Sequence, residues 1–191
     1  MAWIHRGVLA LCLWGAATWA LSAELAGVRF ESTAQLAGQS LVLNGAGLRT
    51  RFFFKVYAAG LYVSESSSQA SAILQQSGPR MVRIVMLRDV SADTFIESLH
   101  EGLKNNHSEA QLAALSHQIE ALGSIMRALG MAKKGDQIEF TYAPAVGTRI
   151  VQNGQARGAP IEGEAFFAAV LRVWIGEHPA DMELKRALLG L

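Results

Sequence analysis

The chain has one cysteine in 191 residues, four prolines, few charged residues (17%), and no excess of either charge sign, with 17 Lys and Arg against 16 Asp and Glu. A single thiol excludes a disulfide framework and any cysteine-based zinc site. The even charge balance offers no electrostatic reason to expect a nucleic-acid partner. With 51% hydrophobic residues, disorder, coiled coil and collagen-like fibre are also excluded as classes. Signatures of several chemistries are missing too: there is no Gly-Lys-Ser/Thr phosphate loop, no Gly-x-Ser-x-Gly elbow and no His-Glu-x-x-His helix.

What is present begins at the N-terminus. Arg6 precedes an apolar run from Gly7 to Leu21, which ends in the small residues Ser22 and Ala23. A positive start, an apolar run short for a bilayer span and a small-residue exit predict a secretory signal peptide over residues 1–23, with an uncleaved anchor as the competing reading. Cleavage after Ala23, rather than after Ser22, leaves the acidic Glu24 outside. Cys12 lies inside the apolar run, so residues 24–191 carry no cysteine. Such a domain suits a periplasmic or secreted location without depending on disulfides. No second apolar run is long enough to span a bilayer.

The remainder reads as one α+β domain without repeats or linkers. Alternation predicts strands over Val28–Thr33 and Gln39–Leu43, the latter followed by a turn at Asn44-Gly45. The aromatic run Arg49–Val63 predicts two strands or one bent strand, with Gly60 marking a bulge or a close approach. A short helix over Ser66–Ser77 and a strand over Arg80–Arg88 follow. Ser91 opens a helix with apolar positions Phe95, Ile96, Leu99 and Leu103, ended at Asn105-Asn106. The capping box Ser108–Gln111 starts another helix, running to about Leu129, whose stripe Leu115, Ile119, Leu122 and Met126 faces the core, with Gly130 as its stop. Strands over Gln137–Tyr142, over Arg149–Val151 and through Arg157 flank the hairpin signal Asn153-Gly154. Helices over Ala165–Ile175 and Asp181–Leu189 close the chain.

Three groups of residues invite a chemical reading. His100 and His107 are seven apart, but the break between them and the lack of nearby carboxylate pairs favour ordinary surface histidines over a metal or haem role. Lys133-Lys134 reads as a solvated turn. The third group is Asn44–Val63, where Arg49, Arg51, Lys55, Tyr57 and Tyr62 are interleaved with Phe52, Phe53, Phe54, Val56 and Leu61. If residues 52–57 are extended, Phe53, Lys55 and Tyr57 share one face, opposite Phe52, Phe54 and Val56. A cation beside such a surface can anchor the anionic end of an apolar ligand. The alternative is strand-end arginines and packing tyrosines.

Asn44-Gly45-Ala46-Gly47-Leu48-Arg49-Thr50, then Phe54-Lys55-Val56-Tyr57-Ala58-Ala59-Gly60-Leu61-Tyr62, resembles the chalcone isomerase superfamily, as does Val170-Leu171-Arg172-Val173-Trp174-Ile175-Gly176-Glu177-His178. The export signal and the shorter loop before the Phe54–Tyr62 strand resemble the bacterial chalcone isomerase-like branch. The resemblance implies an open-faced sandwich: a large antiparallel sheet covered on one face by helices, with a ligand cleft between them. It also implies that Arg49 holds an anionic ligand, with Tyr57 at a position that is Thr in the isomerases and Tyr in fatty-acid-binding members. Ser91 and Ser98 fall where the isomerases carry Tyr and Asn, and Val173, beside Trp174, replaces a substrate-contacting Thr.

Cyclising a chalcone needs a phenolate nucleophile and donors for a developing enolate. The losses at Ser91, Ser98 and Val173 therefore favour a non-catalytic protein that binds a small amphipathic anion such as a fatty acid, with no cofactor and no metal. The ligand site is expected at Arg49, Tyr57, Val173, Trp174, Ser91 and Ser98. The Gly45–Gly47 loop would fold Arg49 back over the sheet, with Arg51 as the rival cation. An isomerase or lyase of a phenolic or enone compound, using Arg49 and Tyr57, is the alternative; a haem-associated or structural protein is the third. Glu177 and His178 are expected to satisfy backbone groups at a helix junction.

Overall fold

The computed structural model describes residues 23–191, so the expected signal segment, Ala23 apart, lies outside the described residues. The first strands are β1 (Ala23–Leu25), β2 (Val28–Phe30), β3 (Thr33–Leu36), β4 (Gln39–Arg51) and β5 (Phe54–Val63). After α1 (Ala70–Gln75) come β6 (Arg80–Met86), α2 (Ala92–Asn106), α3 (Glu109–Ala114) and α4 (Ser116–Leu129). The chain ends with β7 (Gln137–Ala143), β8 (Gly147–Gln152), β9 (Gln155–Ile161), α5 (Glu164–Ile175) and α6 (Met182–Leu188). Strands β3 to β9 form one seven-stranded antiparallel sheet in chain order, and β1–β2 is a separate hairpin.

Period-two alternation divides each central strand between two cores. On one face Leu61, Val82, Ile84, Phe140 and Ile150 pack with Phe166, Val170, Leu171 and Trp174 of α5. On the other, Ala58, Tyr62 and Met81 join Leu41 and Phe30, which comes from the small hairpin. The helices cover one face, as the α+β sandwich requires, and β1–β2 shelters part of the second. Gly60 marks a close approach: a Cβ there would lie 2.7 Å from Cδ1 of Phe30.

Two local expectations are corrected. Asn44-Gly45 is no turn, because β4 runs through it with an irregularity between Leu43 and Gly45. The glycines are there because α6 lies directly on the strand. A Cβ at Gly45 would collide with the Ala187 carbonyl oxygen, and one at Gly47 would sit 2.7 Å from the Ala187 Cβ. Asn44 braces this contact, donating from Nδ2 to Leu188 O (2.7 Å) and Ser67 O (3.0 Å). The single helix expected after Ser108 is two, broken at Leu115, whose ψ of 8° leaves the helical region. The capping box forms, with Gln111 N donating to Ser108 Oγ and Ser108 N to Gln111 Oε1. Leu122 and Met126 are buried, whereas Leu115 and Ile119 are half-buried at the core's margin.

Candidate functional site

Arg49 and Tyr57 are brought together by register rather than by a loop. They are direct partners across β4 and β5, and opposed residues of an antiparallel pair project to the same face. Gly45, Gly47 and Arg49 alternate onto the helix side of β4, so the expected folding back of a Gly45–Gly47 loop does not occur. The register shifts between Arg49 and Thr50, since Arg49 pairs with Tyr57 but Thr50 with Lys55. That leaves Val56 as an extra residue and breaks the alternation. Phe54, Val56 and Tyr57 therefore line one cleft instead of opposite faces, together with Phe52.

The cleft lies between this end of the sheet and helices α2 and α5, with a volume of about 360 Å³. Its floor is Tyr57 and Trp174, both buried. Trp174 Nε1 donates to the Tyr57 hydroxyl at 3.0 Å. Indole is only a donor, so the phenol oxygen accepts and its own proton stays free for another acceptor. Burial pushes the Tyr57 phenol up; the Trp174 hydrogen bond and the Arg49 charge oppose that shift. The phenol is thus a donor at neutral pH, not a base. Phe140 fixes the indole in an edge-on contact at 5.3 Å.

Arg49 is half-buried and engaged. Its Nη1 donates to Thr50 O (3.1 Å) and lies 3.5 Å from Asp181 Oδ2. The same carboxylate accepts from Thr50 N at 3.0 Å and, through Oδ1, from Leu184 N at 3.1 Å, capping α6. Asp181 fixes the guanidinium's position and offsets part of its charge. An added anion would meet an arginine already held in place, which lowers the entropy lost on binding.

All six expected site residues line this one cleft, but their surroundings differ. Ser91 is the N-cap of α2: its Oγ accepts from Thr94 N at 3.2 Å and donates to Thr94 Oγ1 at 2.9 Å. That hydroxyl is largely committed to the helix. Ser98, one face further along α2, is half-buried on the wall. Val173 is buried against Gly102, where a Cβ would approach its Cγ1 at 2.6 Å, so it also sets how closely α2 and α5 pack. Arg51, the rival cation, lines the cleft as well, at the exposed hairpin end. Arg88, Asp89 and Thr94 are lining residues that the sequence reading missed; only the helix-start signal at Ser91 pointed to their neighbourhood.

Other candidates lie elsewhere. His100 is exposed on α2, and His107, beyond its end, sets Nδ1 at 2.9 Å from Leu103 O. Among the described residues no group of three or more His, Cys, Asp or Glu is arranged to hold a metal ion. The junction after α5 is not held by the side chains of Glu177 and His178, which are exposed. Asn106 does that work, donating to His178 O (2.7 Å) and accepting from His178 N (3.0 Å), while Lys185 Nζ donates to Gly176 O at 2.7 Å. An amide carries both a donor and an acceptor, so one Asn satisfies both backbone groups of a residue, which a carboxylate cannot.

The profile of the chalcone isomerase-like family matches residues 22–190, and the chain belongs to that family. Among curated proteins none matches by sequence. A solved structure, the crystal structure of a fatty-acid binding protein of Arabidopsis thaliana, superposes with a TM-score of 0.68 at 16% identity, covering 88% of this chain and 96% of that one. At that identity the likeness establishes the shared fold.

Proposed function

We propose that this chalcone isomerase-like chain is an exported, periplasmic member of the family, processed after Ala23, that binds one small amphipathic carboxylate such as a fatty acid without transforming it. The observation that carries the reading is the polarity of the cleft floor. The Tyr57 phenol, held by Trp174, keeps a free proton beside the fixed Arg49 guanidinium, in a cavity whose apolar wall is Phe54, Val56, Phe95, Leu99 and Val173 and whose other lining residues include Arg51, Arg88, Asp89, Ser91, Thr94 and Ser98. Donors on the floor beside an apolar wall suit a carboxylate with an apolar tail. A volume of about 360 Å³ is near the small end of ligand pockets, roughly 300–1,000 Å³, so one ligand of modest length fits. The structural neighbour's fatty-acid binding agrees with this reading. The isomerase alternative needs a base or a phenolate partner, whereas Tyr57 stays protonated. Of the side chains that ligate haem iron, His, Cys, Met and Tyr, the cleft is lined among the described residues by Tyr57 alone, whose hydroxyl is held by Trp174.

The test compares a medium-chain fatty acid with its matching alcohol by calorimetry. Arg49→Ala removes the cation and leaves Asp181 facing the ligand, so carboxylate binding should weaken by about 2–5 kcal/mol and alcohol binding by little. Tyr57→Phe should cost about 1 kcal/mol for the carboxylate. Equal losses for acid and alcohol in Arg49→Ala would assign Arg49 to shaping the protein. Chalcone turnover abolished by the same substitution would replace binding with catalysis.

A further inference from the structure

The turn joining β4 to β5 is built against two preferences at once. Its central residues are Phe52 and Phe53, which are 83% and 96% exposed, and the following Phe54 is 60% exposed. Phe52 also sits at φ +56°, a left-handed conformation that glycine or asparagine adopts readily and a bulky side chain rarely does. Folding alone would favour a small polar residue at that tip. Strain and exposed aromatic surface persisting in one short turn point to a role outside the fold.

The charged residues flanking the tip in sequence are cationic, while the nearby carboxylates Asp181 and Asp89 are engaged, by Thr50 N and Arg49 and by Lys134 N. Arg51 and Lys55 flank it, both exposed, and the Arg88 guanidinium lies 5.0 Å from the Phe54 ring centre. The exposed Lys133-Lys134 turn belongs to the same end of the sheet, tied there by Lys134 N donating to Asp89 Oδ1 at 2.8 Å and Gly135 N to Met86 O at 2.8 Å. Asp89, among the described residues the one carboxylate lining the cleft, is the acceptor in that contact. A two-residue convex tip is too small for a stable protein interface, which buries about 1,200–2,000 Å² in total. Aromatic residues at a point, ringed by Arg and Lys, instead match the interface of an anionic bilayer, where rings sit at headgroup depth and cations meet phosphate.

From this we infer that the β4–β5 hairpin is a membrane-docking wedge: Phe52 and Phe53 enter the interface of an anionic lipid bilayer, and Arg51, Lys55 and Arg88 meet its headgroups. Phe52, Phe54 and Arg88 also line the cleft, so docking sets the cleft mouth against the lipid surface. That consequence rests on the carboxylate-binding reading; the docking itself does not.

The experiment places a nitroxide at the tip of the full chain through Phe53→Cys, with the chain's other cysteine removed by Cys12→Ser. Label collisions with oxygen and with a water-soluble nickel chelate report the depth of the tip itself, whatever the N-terminal segment does. On vesicles of phosphatidylethanolamine and phosphatidylglycerol the label should become severalfold more accessible to oxygen and less to nickel, and added salt should reverse the change. Lys55→Glu, outside the cleft lining, should weaken this immersion about tenfold or more. A label that stays equally accessible to nickel with and without vesicles overturns the proposal. Equal immersion on phosphatidylcholine and phosphatidylglycerol vesicles overturns its electrostatic part. Shielding without lipid that grows with protein concentration and is insensitive to vesicles would assign the tip to a second copy of this chain instead. Carboxylate binding measured in solution separates the two readings: a chain that binds the acid while its tip stays in water keeps the cleft and loses the wedge, and the converse loses the cleft alone.

Discussion

Two hairpins of the same sheet each place their first turn residue in the left-handed region and meet that demand in opposite ways. The β8–β9 turn places Asn153 at φ +50° and Gly154 at φ +78°, the residues that such a turn favours. Asn153 then ties the turn to the neighbouring strand: its Oδ1 accepts from Gln137 N at 2.8 Å and its Nδ2 donates to Asp136 Oδ1 at 2.9 Å. Asp136 adds Lys133 N (2.9 Å) and Gln152 Nε2 (3.3 Å) to the knot. The β4–β5 turn puts Phe at the equivalent strained position, exposes both ring systems and leaves them in water. One turn is optimised for folding. The other carries a backbone cost that its own contacts do not repay, and it sits at the mouth of the cleft.

The comparison can be broken most sharply at the first turn. Asn153→Val puts a β-branched residue in the left-handed region and removes both side-chain hydrogen bonds, so denaturant unfolding should show a loss of about 2–4 kcal/mol. A loss under half a kcal/mol would mean that the knot holds nothing. A smaller effect is expected from acid. The Asn153 and Lys133 hydrogen bonds hold the Asp136 carboxyl below its ordinary value. A depressed folded-state pKa contributes stability that is present above the unfolded value of about 3.8 and is lost as pH falls through the folded one. Asp136→Asn should therefore flatten the decline in stability below about pH 4 relative to wild type, read from melts across that range; an unchanged slope removes Asp136 from the acid response. The smallest effect is at the second turn and has the opposite sign. Phe52→Asn relieves the positive φ and should stabilise the fold by about 1 kcal/mol. Destabilisation there would show that the Phe52 ring packs productively, and the contrast between the turns would fail.

How much of this was legible differs from residue to residue. Asn153-Gly154 and Ser108-Gln111 were readable because their side chains act on backbone within a few positions, so the motif and its cause lie in one window. The Arg49 and Tyr57 positions were marked by a resemblance, but the manner of their meeting was not, since a strand bulge at Val56 leaves no signature in a run of apolar residues. Asp181 was legible only as the first residue of the last helix. Its grip on Arg49 and Thr50 spans 131 residues in the latter case and has no local trace. Leu115 carried the right spacing for a helix stripe and became the break between two helices, because periodicity reports which face is apolar and not whether the axis continues.

The amino-acid order by itself determined the α+β class, the succession of strands and helices, the caps, the β8–β9 turn and the segments from which the cleft is drawn, because each follows from propensity and periodicity over short spans. Tertiary structure alone decided that Gly45 and Gly47 belong to a strand. Their reason for being glycine is the arrival of α6, about 140 residues later, against the backbone of β4. It also decided that Arg49 is held by Asp181, that the buried Tyr57 hydroxyl accepts from Trp174 and leaves its own proton unshared, and that Phe52, Phe53 and Phe54 of the expected strand run are exposed. Those outcomes depend on which distant groups arrive at a point in space, and no short window of sequence contains both partners.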